Sequence, residues 1–212
     1  RRALAKMGLS YKDINRVYIS HQHSDHIGGL EWLALSHYFT PNTPTPTLYC
    51  PKAIINDLWD HSLKGGLSTL ETKTDLNTFF EVIACDEETP FKWNDITFTP
   101  VFSYHTRHLE GYMPCFGLWI DTGLTKIFFT SDSKFSPDYQ MPFYEKADII
   151  FQDCETVEHP SGVHAHYQEL KHLPPDIKKK MRLYHYHSLT KFDAEKDGFH
   201  GFVKPQVPIE IT

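Results

Sequence analysis

Apolar positions in this chain fall into short runs broken by turn residues, and their spacing alternates between the period of a strand and that of a helix. Arg16-Val17-Tyr18-Ile19-Ser20 reads as a buried strand, and Ile27 to Tyr38 carries Ile27, Leu30, Leu33 and Leu35 at roughly helical spacing. Pro41, Pro44 and Pro46 force a turn before a short strand at Leu48-Tyr49-Cys50. Ala53 to Leu63 is again helical in pattern and is predicted to stop at Gly65-Gly66. The middle of the chain is sheet-rich. Phe79 to Ala84, Ile96 to Val101, Cys115 to Ile120 and Lys126 to Thr130 are separated by turn chemistry, including Trp93-Asn94-Asp95 and Asp121-Thr122-Gly123. Beyond Pro142, Ile149-Ile150-Phe151 is a buried strand, Gln168 to Lys180 is helical apart from Pro174-Pro175, and Met181 to Tyr184 is a further strand. At the amino end a helix closes at Gly8, and Ser10 caps a turn over Tyr11, Lys12 and Asp13. No internal repeat, low-complexity tract or linker interrupts this order, so the pattern predicts one α/β domain over residues 1–212.

Composition narrows the function. A chain of 212 residues with 40% hydrophobic and 14% aromatic residues buries a core and is not a disordered tail. A formal net charge of −6 argues against a long polyanion as partner, because such proteins usually carry a basic excess. No apolar run approaches the roughly 18 residues of a membrane span, and the amino terminus lacks the apolar segment of a signal peptide. Cys50, Cys85, Cys115 and Cys154 are too far apart for a disulfide scaffold or a zinc ribbon, which makes a reducing cytoplasm the expected setting. The unusual count is 14 histidines, the side chain that most often binds metal and moves protons near neutral pH.

Their placement is specific. His21-Gln22-His23-Ser24-Asp25-His26 sets three imidazoles and a carboxylate between a predicted strand and a predicted helix. His21 and His23 alternate from the strand end and can point the same way, while Asp25 and His26 open the helix, so one segment can serve two neighbouring ions. A polar turn with solvated histidines is the plain alternative, and for a lone His-x-His it would be preferred. The longer motif followed by Ile27-Gly28-Gly29 favours metal.

The segment resembles the signature of the metallo-β-lactamase superfamily, whose fold is a four-layer αβ/βα sandwich with a dinuclear, usually zinc, site at the edge of its two sheets. The resemblance implies a histidine, an aspartate and a final histidine at later strand ends. His105, Asp132 and His185 stand after predicted strands in that order. Carried over, His21, His23 and His105 are implied to hold the first ion, Asp25, His26 and His185 the second, and Asp132 to bridge them. That ligand set, with no thiolate, suits Zn2+, while Mn2+ or Fe2+ would accept it. Two such ions would activate a shared water, orient the scissile group and offset negative charge, so hydrolysis is the expected chemistry. A non-catalytic metal module is the contrasting reading, but a structural site closes its coordination and needs no water-bearing pair.

Asp25-His26, the stretch Ala147 to Glu155, Ser161-Gly162-Val163-His164-Ala165 and Leu183-Tyr184-His185-Tyr186 are similar to the branch that contains tRNA 3′-processing endonucleases and cyclic-nucleotide phosphodiesterases. Within it, His164 is implied to protonate the leaving oxygen, with Glu155 orienting it, Asp25 acting as both ligand and catalytic carboxylate, and His166 the rival to His164. His187, His108 and Arg107 are weaker candidates for phosphate contact. The span from His105 to Asp132 leaves no room for the long arm of the tRNA enzymes, and the negative chain lacks the cations that a structured RNA requires. A small phosphodiester, a cyclic nucleotide above all, is therefore the expected substrate, as in phage-type phosphodiesterases that clear cyclic-nucleotide defence signals. An RNA 3′-end endonuclease or a lactone or thioester hydrolase of the same fold is the alternative. Trp32, Phe39, Phe102, Tyr104, Tyr112 and Phe135 are candidates to stack on a base, although most are expected in the core. The resemblance also implies a homodimer in which the Arg107 to Phe116 loop, with Leu109, Tyr112 and Met113, packs on a neighbour. Superfamily members carry several strands before the first motif, so this chain is expected to start partway through the fold.

Overall fold

Parallel pairing organises the first half of the chain. In a computed structural model, which describes residues 2–109, 111–188 and 190–211, the strand Arg16–Tyr18 (β1) pairs with Thr47–Pro51 (β2), and β2 with Glu81–Cys85 (β3), all parallel and in the order β1-β2-β3. Every residue of the central strand β2 is buried, as expected of a parallel strand covered on both faces. Around it lie helices Arg2–Lys6 (α1), Ser24–Ile27 (α2), Leu30–Tyr38 (α3), Ile55–Leu58 (α4), Lys64–Leu67 (α5) and Leu76–Phe79 (α6). These elements belong to the first of two compact units, Arg1–Phe91 and Lys92–Thr212.

Three sequence expectations change here. The helix read as one piece from Ile27 is two, because the chain breaks at Gly28-Gly29. The Gly28 amide donates to the Ser24 carbonyl at 2.7 Å, and a Cβ on Gly28 would stand 2.5 Å from that oxygen, so the close turn requires glycine. The second helix does not stop at Gly65-Gly66. It continues from α4 through a π-helical turn, Trp59–Leu63, into α5, and the missing side chain of Gly66 makes room for the Glu31 carboxylate. Phe79, expected to open a strand, instead ends α6, which Asp75 caps by accepting from the Thr78 amide at 3.0 Å.

The second unit is a seven-stranded mixed sheet. Its strands are Phe91–Trp93 (β4, which starts at the boundary residue Phe91), Ile96–Phe102 (β5), Phe116–Asp121 (β8), Lys126–Phe129 (β9), Ile149–Asp153 (β10), Met181–Tyr184 (β11) and Gly201–Phe202 (β12), in the order β12-β11-β10-β9-β8-β5-β4. Strands β9 to β12 run parallel, and β5, β8 and β9 pair antiparallel. Between β5 and β8 a small hairpin, Arg107–His108 (β6) with Gly111–Tyr112 (β7), projects Leu109 fully into solvent. Strand β4 was not expected. Asn94 and Asp95, read as a turn, both take positive φ (48° and 65°), the pair of left-handed residues that closes a two-residue hairpin. Helix Pro137–Lys146 (α7) also escapes the pattern, with Pro142 inside it and only Gln140 and Tyr144 buried. Tyr167–Leu170 (α8) and Pro175–Lys178 (α9) occupy the stretch expected to be helical with a proline break. Phe128, Ile150 and Leu183 of three adjacent parallel strands pack with Tyr144, Tyr167 and Leu170 into the core of this unit. The rigid parallel strands thereby bring their carboxyl ends side by side, the edge at which open α/β sheets carry function.

Candidate metal centre

In the first unit the chain leaves β1 extended through His23, whose φ and ψ of −62° and 146° place it as the residue before α2. Alternation turns His21 and His23 to one side, and their ring nitrogens Nε2 and Nδ1 lie 3.1 Å apart. Two nitrogens at the usual zinc distance of about 2.0–2.1 Å in tetrahedral arrangement stand roughly 3.3 Å apart, so the pair has the spacing of two ligands on one ion. His21 is buried, and its Nδ1 meets Ser20 Oγ at 3.0 Å. The His26 ring lies 4.0 Å from that of His21, and its Nε2 is 3.6 Å from Asp25 Oδ2. Asp25 is the exposed member of the group, and Gln22 ties the segment down by donating to the Ile54 carbonyl at 3.1 Å.

In the second unit the three expected ligands stand at strand ends. His105 follows β5, is buried, and donates from Nδ1 to the Val163 carbonyl at 2.8 Å, which presents Nε2 as its ligating atom. Asp132 follows β9 and His185 follows β11. Ser131, just before Asp132, and His185 itself have φ of 53° and 65°. The ligating atoms of His105, Asp132 and His164 lie within 4.8 Å of one another, and so do those of Asp153, His164 and His185. His185 Nε2 is 4.0 Å from Asp132 Oδ2. Nitrogen and carboxylate oxygen converge here without sulfur, the donor set that suits zinc, manganese or iron.

The carboxylate within this cluster is Asp153, the last residue of β10, which is not among the expected site residues. His164 Nδ1 donates to its Oδ2 at 2.6 Å, and the Ser133 amide donates to the same oxygen at 2.7 Å. Its other oxygen, Oδ1, is buried without a hydrogen bond among the described residues and lies 3.5 Å from His185 Nδ1. Burial pushes the Asp153 carboxyl up, against the lowering effect of His164. For His164 burial alone would push the imidazole down, but the hydrogen bond and charge of Asp153, with Asp132 and Glu155, raise it above its usual value. Glu155, expected to orient His164, accepts from the Ser161 amide at 2.8 Å through Oε1. The only sequence signal for Asp153 was its position: like the ligands, it is a carboxylate at the end of a buried strand.

His166 is committed elsewhere. Its Nε2 donates to the Val157 carbonyl at 2.9 Å and its Nδ1 accepts from the Gln168 amide at 3.3 Å, capping α8. His187 offers its backbone amide to Thr156, and Arg107 and His108 are exposed on β6. Of the aromatic candidates, Trp32 packs edge-on to Tyr11, Phe39 is exposed, Phe102 packs on Tyr104 and Phe116, Tyr104 on Tyr112 and Tyr139, and Phe135 against the core.

Known proteins are similar to this chain in sequence and in fold. Residues 1–209 match the family described as Anti-Pycsar protein Apyc1. The chain is 33% identical over 214 residues to the Anti-Pycsar protein Apyc1 of Paenibacillus harenae, covering 99% of this chain and 84% of that one. Among solved structures it is similar to YhfI of Bacillus subtilis, a metallo-beta-lactamase fold protein, with a TM-score of 0.63, 21% identity, and coverage of 92% of this chain and 77% of that one. It is also similar to Zn(2+)-bound PqqB of Methylobacterium extorquens, with a TM-score of 0.64, 11% identity, and coverage of 93% and 73%. The fold is thus the metallo-β-lactamase fold, as the sequence resemblance implied, and the chain belongs to the Anti-Pycsar protein Apyc1 family.

Proposed function

We propose that this chain is a dinuclear-metal phosphodiesterase that hydrolyses small cyclic nucleotides, one hydrolase domain built over residues 1–212. The observation that carries the reading is the convergence within 4.8 Å of donor atoms from His105 and Asp132, which follow strands, and from His164, in the loop before α8, in a chain of the Anti-Pycsar family. His21, His23 and His105 would hold one ion and Asp25, His26 and His185 the other, with Asp132 shared, and zinc fits the donors best. When bound, such ions supply an activated water and offset the charge of the phosphoryl group. The chain's own residues do the rest. Asp153 fixes the Nδ1 proton of His164 and balances its positive charge, which leaves Nε2 to protonate the departing ribose oxygen, a poor leaving group as a bare alkoxide. The negative net charge and the short span between His105 and Asp132 support a small substrate over a structured RNA. The four cysteines, all free and buried, are compatible with a reducing cytoplasm, and the fully exposed Leu109 supports the hairpin as a contact in a homodimer.

The test is turnover. Zinc-loaded protein is incubated with 3′,5′-cyclic nucleotides, a precursor tRNA, a lactone and a thioester, with and without chelator, beside Asp132→Ala. Cyclic nucleotides are expected to open, and both the chelator and the substitution to abolish this. Cleavage of the lactone or thioester while every phosphodiester persists overturns the substrate class, and cleavage of the tRNA alone moves the protein to the endonucleases.

A further inference from the structure

Ser131 is an unexpected residue to find just before a metal-ligating aspartate. Its φ of 53° lies in the left-handed region, which disfavours any residue with a Cβ and persists only where the surroundings over-determine it. Its side chain is buried and faces Cys115. Its carbonyl is held twice. The Tyr184 hydroxyl donates to it at 2.6 Å, and Thr130 Oγ1 donates at 2.9 Å, the two hydroxyls lying 3.2 Å apart. The Tyr184 ring stacks on Phe129, with centroids 5.3 Å apart and planes 20° from parallel, which fixes where the hydroxyl points. On the other side of Asp132, its own carbonyl accepts from Cys115 Sγ at 3.3 Å.

We propose that Tyr184 is a positioning residue of the metal centre: its hydroxyl clamps Ser131 in the left-handed turn and thereby aims the Asp132 carboxylate. Tyr184 ends β11 and is followed directly by His185, so one side chain reaching past β10 to the end of β9 links the two strand ends that carry Asp132 and His185. The inference rests on the metal reading proposed above and adds to it a residue that touches no ion.

A double-mutant comparison of zinc affinity tests it, measured by competition with a chromophoric chelator on wild type, Tyr184→Phe, Ser131→Gly and the double variant. Tyr184→Phe keeps the ring and its stack on Phe129, and near-ultraviolet circular dichroism checks that the fold is retained. Its zinc affinity is expected to fall roughly 10- to 100-fold, the usual effect of losing an outer-shell partner. Ser131→Gly adopts the left-handed region without help and should bind zinc as wild type does. In that background, loss of the hydroxyl should cost far less. An equal loss in both backgrounds, or none in either, overturns the clamp while leaving the metal reading intact. A wild-type chain that binds no zinc removes the metal reading and the clamp with it.

Discussion

Asp153 and Glu155 stand two residues apart, both carboxylates near His164 in sequence, and the structure gives them different work. Asp153 is fully buried and faces His164 Nδ1 at 2.6 Å, whereas Glu155 accepts from the Ser161 amide through Oε1. Replacing Asp153 by Asn keeps the shape but removes the charge that fixes the imidazole and balances its protonated form. Asp153→Asn is therefore expected to lower kcat for a cyclic nucleotide on the order of 10²-fold, with KM little changed. Glu155→Gln, whose amide oxygen can still accept from Ser161, should leave kcat near wild type. Steady-state kinetics on the two variants decide it, and the reverse ranking would return the orienting role to Glu155. The proposed ligand residues are legible in the sequence because a metal motif repeats one residue type at recognisable offsets. Asp153 was not, because an aspartate after a buried strand is equally a turn residue until its neighbours in space are known. Tyr184 was less visible still, since nothing in a linear chain tells a core tyrosine from one whose hydroxyl pins a strained turn 53 residues away.

At the scale of elements, the strands that carry ligands were readable as short apolar runs, and the missed elements share physical reasons. β4 is three residues beside a turn, too short for a period to register, and α7 presents neither a continuous apolar face nor an unbroken helical sequence. Close backbone approach is equally silent in a pattern. A Cβ on Gly117 of β8 would stand 2.3 Å from the Phe129 carbonyl oxygen and 2.8 Å from the Thr130 carbonyl, backbone atoms that cannot swing aside. Glycine there lets β8 lie against the end of β9 just where the chain turns to Asp132. Gly117→Ala is accordingly expected to cost about 1–3 kcal/mol in urea unfolding, as overpacking does. An unchanged midpoint would mean the two strands have slack at this point. The opposite sign is expected at the β4–β5 turn. Asp95 sits at φ 65°, a position glycine takes freely, and Asn-Gly is the favoured pair for this turn. Asp95→Gly should raise stability by about 0.5–1 kcal/mol and leave turnover alone, and a fall in the midpoint would count against the left-handed pair.

For the whole molecule, the proposed centre makes a thermodynamic demand. Its proposed ligands are held in place only in the folded chain, and no described helix is long and apolar enough to cross a membrane. A cation bound only by the folded chain adds stability by mass action, about 2.7 kcal/mol for one site at a free concentration a hundred times its Kd. The chain loaded with zinc is therefore expected to melt in one transition whose midpoint rises with free zinc, and a chelator should lower it. If the ligands serve as proposed, Asp132→Ala should lose most of that response, because the shared carboxylate would have touched both ions. Gly123→Ala, on the β8–β9 turn, should keep the response whatever it does to the baseline. Calorimetry on these three chains across a zinc series reads the outcome. A zinc-dependent shift of equal size in wild type and Asp132→Ala would place the bound cation on other residues, and a midpoint that ignores zinc in wild type would leave the converging imidazoles as a structural cluster with no hydrolytic role.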